Sequence, residues 1–330
     1  MSELAVFGLS DGRLLLGHGP FEHLEGAPAS GVAFYRNDFA LSDPAPWRVP
    51  DRVEELVPES GPLATRAVAW RNLEVTPFAE VFAEISGAIR KGAIEKTVPV
   101  VTELGELTER TPESVLEFIS RLPAPLRTYG WSDGEQGMVG ASPELLFRLE
   151  RGKLETMALA GTARTEERDA FVVDEKEIRE HEFVAQTLLS KLSDLGMTRR
   201  YDRETMDLPG LVHFLSRIEV ELYRNEPVNE LIRRFHPTPA LGPLPRTTET
   251  MAQLVTWRET LGSPPGFGAP FGVSIDGTVE VLVAIRMMAW DGHEVRIPSG
   301  CGVIEESRLV SEWRELRLKR EAVRRLFGLG

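Results

Sequence analysis

Leu126-Arg127-Thr128-Tyr129-Gly130-Trp131, Gly137-Met138-Val139-Gly140-Ala141, Leu145-Leu146-Phe147-Arg148-Leu149 and Lys153-Leu154-Glu155-Thr156-Met157-Ala158-Leu159 succeed one another with only turn residues between them. Each run is short, rich in apolar and aromatic side chains, and bounded by Gly, Asp, Ser or Pro, which is the pattern of strands. Strand directly after strand is incompatible with a regular alternation of strand and helix. It predicts an α+β fold, with large mixed or antiparallel sheets packed against flanking helices.

Upstream of that run, the first 75 residues alternate β-like stretches (5–9 and 32–35) with turns and then enter a Pro-rich stretch, 43–62. They read as an amino-terminal β-rich segment, 1–75, packed on a core of 76–330, the whole forming one continuous domain. A capped amphipathic helix is expected over 76–91, a valine-rich strand over 95–102 with Pro99 marking an edge or bulge, and a second helix over 112–121. Downstream, a long helix over 169–195 would bury Ile178, Ala185, Leu189 and Leu192. Strands are expected over 211–222, 271–275, 279–289 and 294–297, and a final helix over 308–326 would bury Leu309, Trp313, Leu316 and Val323.

At 330 residues, with 42% hydrophobic and 27% charged side chains, the chain can bury a large core. A net charge of -13 argues against general affinity for nucleic acid or anionic membranes and leaves a small molecule as the expected ligand. Cys301 is the single cysteine, so no internal disulfide forms, no Cys/His zinc pattern exists, and a cytoplasmic setting is expected. No basic, apolar leader opens the sequence, and no apolar run reaches the roughly 18 residues a membrane span needs. There is no phosphate-binding Gly-rich loop and no Gly-x-Ser-x-Gly elbow.

Two acidic pairs, Glu177-x-x-Glu180 and Glu312-x-x-Glu315, fall in the two long helical stretches, where carboxylates three apart share a face. On a solvated helix such pairs are common, and Glu315 has Lys319 one turn later as an ordinary partner. If the two helices meet, four carboxylates repel unless a hard cation such as Mg2+ sits between them and an anionic ligand.

Around these pairs lie Ala141-Ser142-Pro143-Glu144-Leu145-Leu146, Leu159-Ala160-Gly161-Thr162-Ala163-Arg164, Glu177-Ile178-Arg179-Glu180-His181 and His236-Pro237-Thr238-Pro239-Ala240. They are followed by Ala284-Ile285-Arg286, Ser299-Gly300-Cys301-Gly302-Val303-Ile304 and Glu312-Trp313-Arg314-Glu315-x-x-x-Lys319. In this order, over 76–326, the set resembles the chorismate-utilising enzymes, the anthranilate synthase component I-like family. Members of that family attack chorismate with water or with ammonia. Ile94-Glu95-Lys96-Thr97-Val98 resembles the strand in which the water-using members carry lysine and the ammonia-using members glutamine. His236-Pro237-Thr238-Pro239 points the same way, and Ala160 stands where amine-forming members of the lysine-nucleophile type would need lysine. The resemblance is closest to isochorismate synthase, with salicylate synthase and a chorismate-binding protein without turnover as the other readings.

The resemblance implies Lys96 as general base and Glu144 as general acid, the latter kept protonated by burial or neighbouring charge. It implies Mg2+ on Glu180 and Glu315, with Glu177 and Glu312 binding directly or through water. Arg286 would pair with the enolpyruvyl carboxylate, Gly161, Thr162, Gly300 and Gly302 would line the anion pocket, Lys319 would contact the ring carboxylate or hold Glu315, and His236 and Ala240 would complete the substrate pocket. No glutamine amidotransferase subunit is expected, and the chain is expected to be a monomer or homodimer. Three positions depart from the family pattern: Pro99 follows the lysine strand, Val273 stands where an aromatic is usual, and Cys301 replaces the customary alanine.

Overall fold

A computed structural model describes residues 3–59, 61, 63–109, 112 and 114–330. Its strands are β1 (Leu4–Gly8), β2 (Leu14–Leu24), β3 (Val32–Arg36), β4 (Trp47–Leu56), β5 (Val68–Trp70), β6 (Val100–Leu107), β7 (Arg127–Ser132), β8 (Gln136–Ser142) and β9 (Leu145–Glu150). They continue as β10 (Lys153–Arg164), β11 (Gly196–Arg200), β12 (Glu204–Leu208), β13 (Leu211–Leu222), β14 (Pro270–Ile275), β15 (Thr278–Val283), β16 (Met287–Asp291) and β17 (Glu294–Gly300). The helices are α1 (Thr76–Arg90), α2 (Arg168–Val172), α3 (Glu175–Leu192), α4 (Val228–Phe235), α5 (Thr248–Thr260) and α6 (Leu309–Leu326).

All strand-to-strand pairings are antiparallel, and they connect the strands in one path: 5-6-17-16-8-7-1-2-4-3-14-15-9-10-13, with β11 and β12 both on β13. So large a twisted sheet must fold back on itself. It does so around Phe7, Tyr129 and Met287 from the 16-8-7-1 stretch of that path and Phe34, Phe271 and Leu282 from its 3-14-15 stretch, which share one buried cluster. The other faces are covered by helices: α3 and α4 bury Val184, Leu188, Leu192, Ile232 and Phe235 against one part, and Val323 of α6 packs against another.

The predicted α+β class with large antiparallel sheets and flanking helices holds, with several local corrections. The strand expected over 95–102 begins only at Val100; Lys96 and Thr97 make isolated bridges to Leu244 and Val303, because Pro99 has no N–H to continue a ladder. The Pro-rich stretch contains the ten-residue strand β4, paired to β2 with its register shifted between His18 and Phe21. The helix expected over 112–121 reduces to a 3-10 turn, Val115–Phe118. Positions 1 and 2 of the amino terminus, 60 and 62 of the Pro-rich stretch, and 113 of that expected helix lie outside the described residues.

The helix expected over 169–195 is two helices. Asp174 stops α2 and caps α3, its carboxylate accepting from the amides of Lys176 and Glu177. The strand expected over 279–289 is also two, broken at Ala284-Ile285-Arg286, where Arg286 has φ 53°. In α6 the fully buried stripe is Glu312, Leu316, Arg320 and Val323, not Leu309 and Trp313, which are half-buried. Among the described residues no helix is long and apolar enough to cross a membrane.

Candidate active site

Three interruptions of regular structure build the site. Between Ala160 and Thr162 the pairing of β10 with β13 shifts register at Gly161, whose φ of +75° suits glycine and whose added Cβ would stand 3.3 Å from the Glu177 carboxylate. In the β8–β9 connection, the Ser142 hydroxyl donates to the Val283 carbonyl (2.7 Å) and accepts from the Glu144 amide (3.1 Å), which fixes the Ser-Pro-Glu turn. At the β15–β16 break, the Tyr129 hydroxyl donates to the Ile285 carbonyl and the Ala141 amide to the Arg286 carbonyl, holding Arg286 in its left-handed conformation.

These segments, α3 and α6 enclose one cavity. It is lined by Glu144, Gly161, Thr162, Glu177, Glu180, Ala240, Arg286, Gly300, Gly302, Glu312, Glu315 and Lys319 of the expected site. Lys96 is not in that lining. It is buried at the edge of an adjoining cavity and reaches the first through Glu180, Nζ to Oε1 3.4 Å, across Gly302, where a Cβ would lie 3.1 Å from both side chains. His236 does not line the cavity either. It is buried and hydrogen-bonded through Nε2 to the Phe39 carbonyl at 2.7 Å, and burial lowers its pKa to about 4, so it supports the wall as a neutral side chain.

Burial raises the Glu144 carboxyl to about 7, against the opposing pull of the Thr238 hydroxyl and the Lys96 ammonium. Near neutrality it therefore holds a proton in a substantial fraction of molecules. The four acidic side chains from α3 and α6 are brought to the same cavity, as the helical spacing implied. Glu312 is raised to about 7 by burial and then by Glu315, and Glu177 is raised by burial and by Glu180, with Lys176 opposing. Three of the four also have lysine partners: Glu177 with Lys176 (3.2 Å), Glu180 with Lys96 (3.4 Å) and Glu315 with Lys319 (2.6 Å). Lys319 also donates to the Gly300 carbonyl at 2.9 Å.

Among the described residues no group of three or more His, Cys, Asp or Glu side chains is arranged to hold a metal ion. The donor set nonetheless fits a hard cation in kind. All four groups are carboxylates, they face one cavity, and two of them carry a pKa raised in part by a neighbouring carboxylate. Occupation would require the lysine partners to yield.

His213 was given no role from the sequence, yet it lines the cavity and links two of its walls. Its Nδ1 lies 2.9 Å from the Gly161 carbonyl, which only accepts, so Nδ1 carries the proton and Nε2 accepts from Arg286 Nη2 at 3.3 Å. Burial, then the Arg286 charge, lowers its pKa to about 3, which keeps it neutral. Arg286, lowered to about 10 by burial, thus presents its guanidinium to the cavity in a fixed orientation. Phe267 also lines the cavity and was not singled out. The departures at 99, 273 and 301 lie outside the lining: Val273 is in the interior of the sheet, and Cys301 is buried beneath α6 while its neighbouring glycines face the cavity.

A family model described as chorismate binding enzyme matches residues 52–328. The salicylate biosynthesis isochorismate synthase of Pseudomonas aeruginosa is 30% identical over 261 residues, 73% of this chain and 53% of that protein. Isochorismate synthase EntC of Escherichia coli is 30% identical over 205 residues, 58% of this chain and 51% of that protein. The chain spans about half the length of these curated relatives. The structure of MenF, the menaquinone-specific isochorismate synthase of Escherichia coli, superposes with a TM-score of 0.83 over 99% of this chain and 89% of that one at 18% identity, a likeness of fold. By the extent of the family match, supported by that shared fold, the chain belongs to the chorismate-binding enzymes.

Proposed function

We propose that the protein is an isochorismate synthase, adding water at C2 of chorismate as the C4 hydroxyl departs and the ring double bonds shift. The observation that carries this reading is a fully enclosed Glu144 carboxyl in the cavity, with buried Lys96 in the adjoining cavity and joined to the first through Glu180. Glu144 donates its proton to the C4 oxygen, so that water rather than hydroxide leaves. Lys96 Nζ accepts a proton from the attacking water as the C2–O bond forms. Substrate and product are isomers, and the two proton transfers balance.

Arg286, oriented by the neutral His213, binds one carboxylate of chorismate in a fork, and the Lys319 ammonium faces the other. Gly161, Gly300 and Gly302 line the cavity, and an added Cβ would crowd Glu177 at the first, Val98 at the second, and Glu180 and Lys96 at the third. Glu177, Glu180, Glu312 and Glu315 would hold Mg2+, which when bound neutralises the ring carboxylate and positions the ring. Ala160 on the cavity wall offers no amine for a covalent adduct, which supports water as nucleophile. The names of the Pseudomonas and Escherichia relatives, both isochorismate synthases, agree with this reading, and the product is proposed to serve menaquinone or siderophore synthesis.

The test is incubation with chorismate and Mg2+ without any amine donor, with products resolved by chromatography and mass detection. Isochorismate is expected. Salicylate with pyruvate would make the protein a salicylate synthase, and chorismate bound but unchanged would leave it a binding protein.

A further inference from the structure

Arg258 stands in the last turn of α5 and is 4% exposed. Its Nη2 donates to the Phe267 carbonyl, while its Nη1 is buried with no hydrogen-bond partner among the described residues. Its guanidinium carbon lies 3.7 Å from the centre of the Phe39 ring and 5.7 Å from that of Phe267. Burial alone lowers its pKa to about 9, with no carboxylate acting in the opposite sense.

A buried charge held by one carbonyl and two ring faces is a poor stabiliser, because those contacts offset only part of the desolvation penalty. An apolar side chain would fill the same space without that penalty. Such a residue is kept where its geometry serves a function. What Arg258 holds is the 264–268 loop. The Phe39 amide donates to the Pro265 carbonyl at 2.8 Å, and the Gly268 amide donates to the Ala284 carbonyl at 2.7 Å, beside the break that carries Arg286. Phe267 and Leu241 both line the active-site cavity, and a Cβ added at Gly268 would stand 3.1 Å from Leu241. Phe267 is the one phenyl ring among the described lining residues, and Arg258 itself lies outside the lining.

We infer that Arg258 is a positioning residue for the active-site cavity: stacked on Phe39 and bonded to the Phe267 carbonyl, it fixes the 264–268 loop and with it the place of the Phe267 ring in the cavity wall. It reaches the ligand only through Phe267. This role rests on the reading of the cavity as the chorismate site, but the place of the ring can be measured without any ligand.

The test puts 4-fluorophenylalanine at position 267 alone in the intact protein and follows it by fluorine-19 NMR. Arg258→Met keeps a long side chain and removes the charge. Its melting temperature should equal or exceed the parent's. Its ligand-free fluorine line should shift, split or broaden as the ring is released, and chorismate should bind at least ~10-fold more weakly. Arg258→Lys keeps the charge and a donor but not the planar fork, so its line and its affinity should fall between those of the parent and of Arg258→Met. A fluorine line unmoved by either substitution would overturn this role. So would a fall in melting temperature with the affinity for chorismate unchanged, the mark of an arginine that only holds the fold. If Arg258→Met does not fold, the line of Arg258→Lys decides. Chorismate that fails to bind the parent would remove the reading of the cavity, and the ligand-free line would still decide whether Arg258 places the ring.

Discussion

Glu144 can serve as the acid only while it holds its proton, and its pKa of about 7, against an ordinary 4.5, sets the pH range in which it does. The protonated form dominates below about 7 and is lost above it, so kcat/KM should fall as pH rises through about 7. Glu144→Gln should lower turnover at least ~100-fold and abolish that limb of the profile, and Lys96→Ala should lower turnover at least ~100-fold with the fold intact. Near-wild-type rates in either variant would remove the role. The place of Glu144 in the cavity was foreshadowed by the ordered motifs around it, whereas the place of Lys96 beside the adjoining cavity was not. The orientations of His213 and His236 were not foreshadowed either: both sit among apolar neighbours, and only the three-dimensional pairing shows that His213 faces the cavity while His236 turns to the Phe39 carbonyl.

The acidic side chains depend on two helices. Asp174 starts α3 where it does, and α6 carries Glu312 on its buried stripe beside Leu316. With its pKa raised to about 7, Glu312 retains in the folded state a proton that the unfolded chain releases above about 4.5. Its contribution to stability therefore declines from about 4.5 to 7 and remains unfavourable above that. Without metal above pH 7, Glu312→Gln should melt at or above the wild-type temperature, while the rise in melting temperature produced by Mg2+ should shrink or vanish. A variant that melts lower and keeps the full Mg2+ response would contradict a metal role for this side chain. Strands such as β13 were legible from alternation, and α6 from its period. The division of α2 from α3 and of β15 from β16 was not, because apolar periodicity runs through both breaks and only Asp174 and the conformation of Arg286 mark them.

Across the whole molecule, three buried histidines, His181, His213 and His236, have pKa values lowered to about 4, 3 and 4 from 6.5. Their stabilising contribution is complete above 6.5 and is lost as pH falls towards 3–4. Glu144 and Glu312 act in the opposite sense between about 4.5 and 7, so the melting temperature should fall most steeply below about 4.5, where only the histidines among these groups still titrate. A flat melting temperature there would show that they do not control acid stability. The path of strand pairing, with β1 between β2 and β7, was beyond the reach of local patterns because it joins segments more than a hundred residues apart. The fold class was not, since strand after strand leaves few ways to bury both faces. The central claim, that the site directs water onto chorismate, is tested most directly by turnover with Mg2+ in oxygen-18-enriched water. The account predicts isochorismate carrying one solvent oxygen, at its C2 hydroxyl, and isochorismate formed without label, or chorismate left unchanged, would contradict it.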